Sequence, residues 1–243
     1  YTWTVSTTVT STTATVSGTD LAGNAYSDSD SLDFKILPIN IPSSDLIAFY
    51  PFSGNSEDLS GNNNDGSVVG SVLTTDRFNI SSEAYYFDMD DDYIDIGNNS
   101  LFDLSTSGFS FSAWVSVSSV TTTTSREILS HPNNEKILIK VSDKFSFSTK
   151  YSNEWKTIRT SPIEVNKWYH LTATYNNSNR TMKIYLDSQL KESLILDSNN
   201  LSPGSDSAHS RTLLGAIFQG GTGPPIEEFH GKLDEVILYS RAL

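Results

Sequence analysis

The loop Asp58-Leu59-Ser60-Gly61-Asn62-Asn63-Asn64-Asp65-Gly66 sets oxygen-bearing side chains at alternate positions 58, 60, 62 and 64. Calcium takes about 6–8 oxygen ligands in flexible geometry, so a tight loop of Asp, Asn, Ser and backbone carbonyls suits it. Asp58, Ser60, Gly61, Asn62 and Asn64 are therefore candidate calcium ligands. The loop is no EF-hand, because its twelfth position is Val69 rather than Glu. A turn in which Asn and Asp side chains bond their own backbone is the alternative. A second carboxylate, Asp234, opens the otherwise apolar stretch Asp234-Glu235-Val236-Ile237-Leu238-Tyr239. A buried carboxylate needs a counter-charge, and no Arg or Lys nearby in sequence offers an obvious one. Asp88, Asp90 and Asp92 form another acidic cluster, which reads as a solvated turn or a cation holder.

Aromatic and planar polar side chains stack on and hydrogen-bond to sugars. Tyr151-Ser152-Asn153-Glu154-Trp155-Lys156 is a polar loop carrying such groups. Tyr151, Asn153, Trp155, Arg159 and His131 are the candidate ligand-binding residues, with Trp155 as the platform. The alternative for Trp155 is that it caps a sheet edge. His131, His170, His209 and His230 lie far apart and form no H-x-H or H-E-x-x-H site. Gly220-Gly221-Thr222-Gly223-Pro224-Pro225 lacks the lysine and following helix of a phosphate loop.

The elements that would position these residues are strands. Phe109, Phe111, Ala113, Val115 and Val117 alternate with Ser110, Ser112, Trp114 and Ser116, which predicts one apolar core face with Trp114 opposite. Further strands are expected over 46–52, 84–87, 93–96, 127–130, 137–141, 144–150, 168–175, 182–186 and 211–217, and no stretch holds a helical period. Ser, Thr, Asn and Asp dominate the polar residues, as in strands joined by turns.

The 243 residues carry a formal charge of −13 and no cysteine. Disulfides and thiolate metal sites are excluded. The acidic balance argues against nucleic acid, and no apolar run approaches the roughly 18 residues of a membrane span. Residues 1–37 alternate Thr and Ser with apolar residues, read as three strands, and are too few to close a sandwich. They are expected to pack on the second domain, on a neighbouring chain, or in a strand-exchanged dimer. Residues 38–44, with Pro38 and Pro42, read as a linker, and 45–243 as the main domain.

The ending Phe229-His230-Gly231-Lys232-Leu233-Asp234-Glu235-Val236-Ile237-Leu238-Tyr239-Ser240-Arg241-Ala242-Leu243 resembles the closing strand of laminin-G-like, concanavalin A-like jelly-roll modules. Tyr50-Pro51-Phe52, Asp58-x-Ser60-Gly61-Asn62, Ala84-Tyr85-x-Phe87-Asp88, Asp92-Tyr93-Ile94, Phe111-x-Ala113-Trp114-Val115 and Trp168-Tyr169-His170-x-x-Ala173-Thr174-Tyr175 extend the likeness over residues 46–243. Met89 stands where the family usually has Gly, and Asp187-Ser188 where it often has Asp-Gly. The segment Thr19-Asp20-Leu21-Ala22-Gly23-Asn24 resembles the end of a bacterial Ig-like repeat.

The resemblance implies an all-β, two-sheet antiparallel jelly roll preceded by a partial Ig-like fragment. It implies that the 58–64 loop meets the closing strand, adding Asp234 to one calcium ion. It also implies a secreted or cell-surface bacterial protein. Retaining glucanases of this fold carry an E-x-D-x-x-E strand, and alginate lyases an Arg-rich strand with His and Tyr; neither is present. The expectation is a non-catalytic glycan-recognition module with a structural calcium. A structural or protein-binding module is the second reading, and a polysaccharide hydrolase or lyase the third.

Overall fold

The computed structural model describes residues 12–19, 25–32, 41–97, 108–131, 137–151, 154–197, 211–218 and 224–243. The chain divides into two compact units, Tyr1–Pro42 and Ser43–Leu243. In the first, β1 (Thr12–Thr19) pairs antiparallel with β2 (Ala25–Leu32), from Thr12 opposite Leu32 to Thr19 opposite Ala25. Among the described residues this unit is one hairpin; the rest of the expected three-strand fragment lies outside them.

The second unit contains fifteen strands and no helix among its described residues. They are β3 (Leu46–Tyr50), β4 (Ser67–Val69), β5 (Val72–Thr74), β6 (Ala84–Asp88), β7 (Tyr93–Asp95) and β8 (Gly108–Val117). Then come β9 (Arg126–His131), β10 (Ile137–Val141), β11 (Phe145–Tyr151), β12 (Glu154–Arg159) and β13 (Trp168–Asn176). β14 (Thr181–Leu186), β15 (Gln189–Ile195), β16 (Leu213–Leu214) and β17 (His230–Tyr239) complete the unit. One sheet runs β12-β11-β10-β9-β16-β7-β4; the other runs β15-β14-β13-β8-β17-β6-β5, with β3 also on β17. All pairings are antiparallel, which gives the two-layer jelly-roll sandwich that the alternating pattern predicts.

The core lies between the layers. Phe109, Phe111, Ala113, Val115 and Val117 of β8 are buried, as their alternation predicts. Leu171, Ala173, Met182 and Ile184 extend the same inner face. Ile139, Phe145, Phe147 and Ile158 line the opposing sheet. Aromatic rings close the gap: Phe109 meets Phe147 at 6.4 Å between centroids and Phe145 meets Tyr169 edge-on at 6.0 Å.

The closing strand is interior to its sheet. Along one side it pairs with β8; along the other its first half pairs with β6 and its second half with β3. At the changeover the register against β8 jumps from Asp234–Trp114 to Ile237–Ser112, so Glu235 and Val236 share the space opposite Ala113. This is a β-bulge, with Glu235 at φ 47°. It shifts the strand's phase: Leu233 faces the core before it, Val236 and Leu238 after it.

The family's missing glycine has a visible consequence. Met89 sits in the left-handed region at φ 78°, where a side chain costs free energy that Gly avoids. Met89→Gly is expected to raise stability by about 0.5–1 kcal/mol, read as a higher midpoint in urea unfolding with an unchanged slope; an unchanged midpoint would contradict strain at this turn.

Candidate functional site

The 58–64 loop folds around the Asp58 carboxylate, which is buried. Its Oδ1 accepts the backbone N–H groups of Phe49 and Ser60, both at 2.9 Å. Its Oδ2 accepts the Asn64 N–H at 3.0 Å and the Ser60 hydroxyl at 2.8 Å. Asn62 Nδ2 and Asn64 Nδ2 both donate to the Ile47 carbonyl, at 3.0 and 2.8 Å, and Ser60 Oγ, whose one proton goes to Asp58, lies 3.1 Å from that carbonyl. Asn62 also reaches the Leu46 carbonyl, and Gly61 turns the loop at φ 88°. The loop is thus a clasp that fixes the start of the first sandwich strand.

Asp234 is not unpaired, which corrects the expectation drawn from its sequence neighbours. Arg77, in the β5–β6 connection, donates from one terminal nitrogen to Asp234 Oδ2 and from the other to Glu235 Oε1, each at 2.8 Å. The guanidinium also lies 4.6 Å from the Trp114 ring centroid and 4.5 Å from that of Phe78. Burial pushes the Asp234 carboxyl up to about 7, with Glu235 adding to the rise and Arg77 opposing it. The set Asp58, Ser60, Gly61, Asn62, Asn64 and Asp234 does not fit one ion: Asp58 is filled by backbone and hydroxyl donors, and Asp234 by a guanidinium. Among the described residues no group of three His, Cys, Asp or Glu side chains could hold a metal.

The sugar-binding candidates divide. Trp155, 46 % exposed, stands on β12, the edge of the seven-stranded sheet, rather than in a loop. Side chains alternate along a strand, so Trp155, Thr157 and Arg159 share the face opposite the buried Ile158. They stand directly across from Lys150, Ser148 and Ser146 of β11. Arg159 is exposed, and its backbone N–H donates to Glu192 of β15 at 2.6 Å. His131 is excluded from this face: it is 4 % exposed, and its Nδ1 bonds the Thr212 hydroxyl at 2.7 Å. It pairs with Ile137, on the core side of β10. Tyr151 ends β11, and Asn153 lies outside the described residues.

The same outer face holds a charge cluster that sequence reasoning missed. Lys140 stands opposite Glu127 of β9 and Ser146 of β11, and Ser146 opposite Arg159, so one row crosses four strands. Lys140 Nζ lies 2.6 Å from Glu127 Oε1 and 3.4 Å from Glu227 Oε2. Glu127 has no exposed surface; burial pushes its carboxyl up to about 8 against the pull of Lys140, and Glu227 adds to the rise. Burial works against the Lys140 ammonium, but the two carboxylates together raise it. The only hint in sequence was a lone lysine inside the apolar run Ile137-Leu138-Ile139-Lys140-Val141.

Residues 88–243 match the laminin G family described as the concanavalin A-like lectin/glucanases superfamily. The chain belongs to this superfamily. The match begins beyond the 58–64 loop and includes the bulged closing strand and the Glu127–Lys140 row. A comparison with curated proteins finds no match. Among solved structures, the concanavalin A-like chain is similar to domain 4 of AbnA, a GH43 extracellular arabinanase from Geobacillus stearothermophilus, in complex with arabinotriose. The identity is 21 % and the TM-score 0.60, over 82 % of this chain and 93 % of that one. The binding domain of botulinum neurotoxin serotype D is 19 % identical, with a TM-score of 0.61 over 83 % of this chain and 49 % of that one. A Trypanosoma rangeli sialidase is 16 % identical, with a TM-score of 0.57 over 84 % of this chain and 31 % of that one. The chain therefore spans about half of the toxin domain and a third of the sialidase. At these identities the likeness shows the fold. No helix among the described residues is long and apolar enough to cross a membrane.

The Arg77 cluster makes a direct claim about stability. Removing one partner of a buried ion pair leaves the other uncompensated, at a cost of about 3–5 kcal/mol. Arg77→Met is expected to destabilise the sandwich by that order in urea unfolding, and Arg77→Met with Asp234→Asn to recover part of the loss. A single variant as stable as the parent would show that the pair is not needed.

Proposed function

We propose that this chain is a glycan-recognition module of a secreted or cell-surface bacterial protein, and that it binds without cleaving. The observation that carries the reading is the half-exposed Trp155 on the same face of an edge strand as Arg159, flanked across the sheet by Ser146, Ser148 and Lys150. An indole face stacks on the C–H surface of a sugar ring, and the neighbouring polar groups meet its hydroxyls. That AbnA domain 4 was solved with arabinotriose supports a sugar ligand for a sandwich of this kind.

No E-x-D-x-x-E strand is present, but two carboxylates distant in sequence, Glu127 and Glu227, meet at Lys140. A glycosidase needs one carboxyl group able to protonate the leaving oxygen and a second on the reacting side of the ring. Glu127 has no exposed surface, and an ammonium stands beside both carboxylates. This arrangement does not suit proton transfer to a ligand.

Trp155→Ala is expected to weaken binding of a responsive oligosaccharide by about 1–2 kcal/mol in titration calorimetry, with the melting temperature nearly unchanged because Trp155 is not in the core. Arabinotriose belongs in the first panel. Unchanged affinity would move the site elsewhere, and release of shortened oligosaccharides by the purified protein would make it an enzyme.

Calcium belongs to the proposal only for the 58–64 loop without Asp234. Asn62 and Asn64 face the Ile47 carbonyl through their amides, and a half-turn of each would present an oxygen in place of the nitrogen. A cation bound only by the folded state raises stability by mass action. Millimolar calcium should then raise the melting temperature, chelator should lower it, and Asn62→Ala with Asn64→Ala should erase the response. A melting curve indifferent to calcium removes the ion from the fold.

A further inference from the structure

We infer that the Trp155 face takes an acidic glycan, one carrying carboxylate or sulfate groups along its chain, and that Lys150 and Arg159 select it; the inference rests on glycan recognition by this face. Register fixes the geometry. Lys150 of β11 stands directly across from Trp155, and Arg159 lies four residues further along β12, opposite Ser146. A strand rises about 3.3 Å per residue, so the two cations bracket a span of roughly 13 Å. Between them, on the same face, Ser148 stands opposite Thr157, and their hydroxyls meet at 2.9 Å. In order along the face come an indole beside an ammonium, a hydroxyl pair, and a guanidinium.

The charges at the two ends are free. Neither the Lys150 ammonium nor the Arg159 guanidinium is engaged in an ion pair or hydrogen bond among the described residues; only the backbone N–H of Arg159 is, by Glu192. Lys140, Lys156 and Lys167, by contrast, each answer a carboxylate. With 29 acidic residues against 16 basic ones, a shortage of carboxylates does not explain two unanswered cations on one face. Nor does the neighbouring cluster cancel them. Glu127 is bonded to both Lys140 and Glu227, and burial pushes its carboxyl up to about 8, so near neutral pH Lys140 and Glu227 balance one another. Glu154 precedes Trp155 but points to the other face, where it holds Lys156.

The chemistry selects the ligand class. A guanidinium presents a planar fork that takes two oxygens of a carboxylate or sulfate, and an ammonium adds a point charge. The ring of an acidic sugar still offers its C–H surface to the indole, and its hydroxyls meet Ser146 and Thr157. A neutral sugar gains nothing from the two charges. Nucleic acid fits poorly, because its affinity comes largely from neutralising phosphates packed at about one charge per 1.7 Å of duplex. Two cations set roughly 13 Å apart match a chain whose charges are sparse.

The test uses the full chain in titration calorimetry. The panel holds oligouronates, sulfated oligosaccharides, neutral oligosaccharides including arabinotriose, and an oligodeoxynucleotide as a polyanion of another kind. An acidic oligosaccharide should bind more tightly than any neutral one, and added sodium chloride should weaken it. Lys150→Gln and Arg159→Gln should each lower that affinity roughly tenfold, flatten its salt dependence, and leave the melting temperature nearly unchanged. The stronger acidic class names the group as carboxylate or sulfate. Tighter binding of a neutral oligosaccharide, still lost in Trp155→Ala, overturns the acidic class and leaves glycan recognition standing. Acidic binding indifferent to both Gln variants overturns the assignment to Lys150 and Arg159. Equal affinity for the oligodeoxynucleotide reduces the effect to charge alone and overturns the inference. Absence of binding across all the oligosaccharides overturns both the inference and the reading beneath it.

Discussion

The bulge at Glu235 is the constraint on which the sandwich turns. One strand must serve two partners in succession, β6 and then β3, while staying paired with β8 along its whole length. A regular strand would carry Leu233 inward and then Glu235 and Ile237. The extra residue resets the phase so that Val236 and Leu238 enter the core instead. The change of phase leaves two carboxylates, Asp234 and Glu235, side by side at the changeover. Arg77 answers both, and Trp114 and Phe78 lie within stacking distance of its guanidinium. Backbone irregularity, charge compensation and aromatic contact are thus one arrangement.

The Asp58 clasp does a related job at the partner strand. Its carboxylate accepts the Phe49 N–H, and the Asn62 and Asn64 amides of the same loop donate to the Ile47 carbonyl. The second half of β17 pairs with this strand, Val236 opposite Tyr50 and Ile237 opposite Phe49. A loop that reads as a metal site therefore also works as a fastener for the strand receiving the bulged segment. Oxygen-rich loops suit either task, because backbone N–H groups and cations compete for the same lone pairs.

Much of the fold was legible in sequence because period-two alternation is a local signal. The β8 core face was read from its alternation alone, and the closing strand from its resemblance to a family motif. The strands that escaped are those with little to bury. β12 sends only Ile158 into the core, and β15 is exposed at nearly every position. The site was less legible, because its parts are joined by register rather than by spacing. Trp155 and Arg159 were visible as types, but their shared face needed the β12 strand. Glu127, Lys140 and Glu227 meet only once three segments are folded together, as do Arg77 and Asp234. His131 misled because, between Ser130 and Pro132-Asn133-Asn134, it looks like an exposed loop residue until its partner, Thr212, is known.

The contact between Arg159 and Glu192 has a meaning for crowded surfaces. An outer strand offers spare backbone donors to any neighbouring chain, and that is how sheets from separate molecules fuse into fibrils. Here the carboxylate of Glu192, on the edge strand of the other layer, already occupies the outward amide of Arg159. The two open margins of the sandwich are stitched at that point by a side chain, not by continued pairing. Copies displayed densely would meet a blocked seam there, and the nearby indole would be left free for ligand instead of becoming the nucleus of an aggregate.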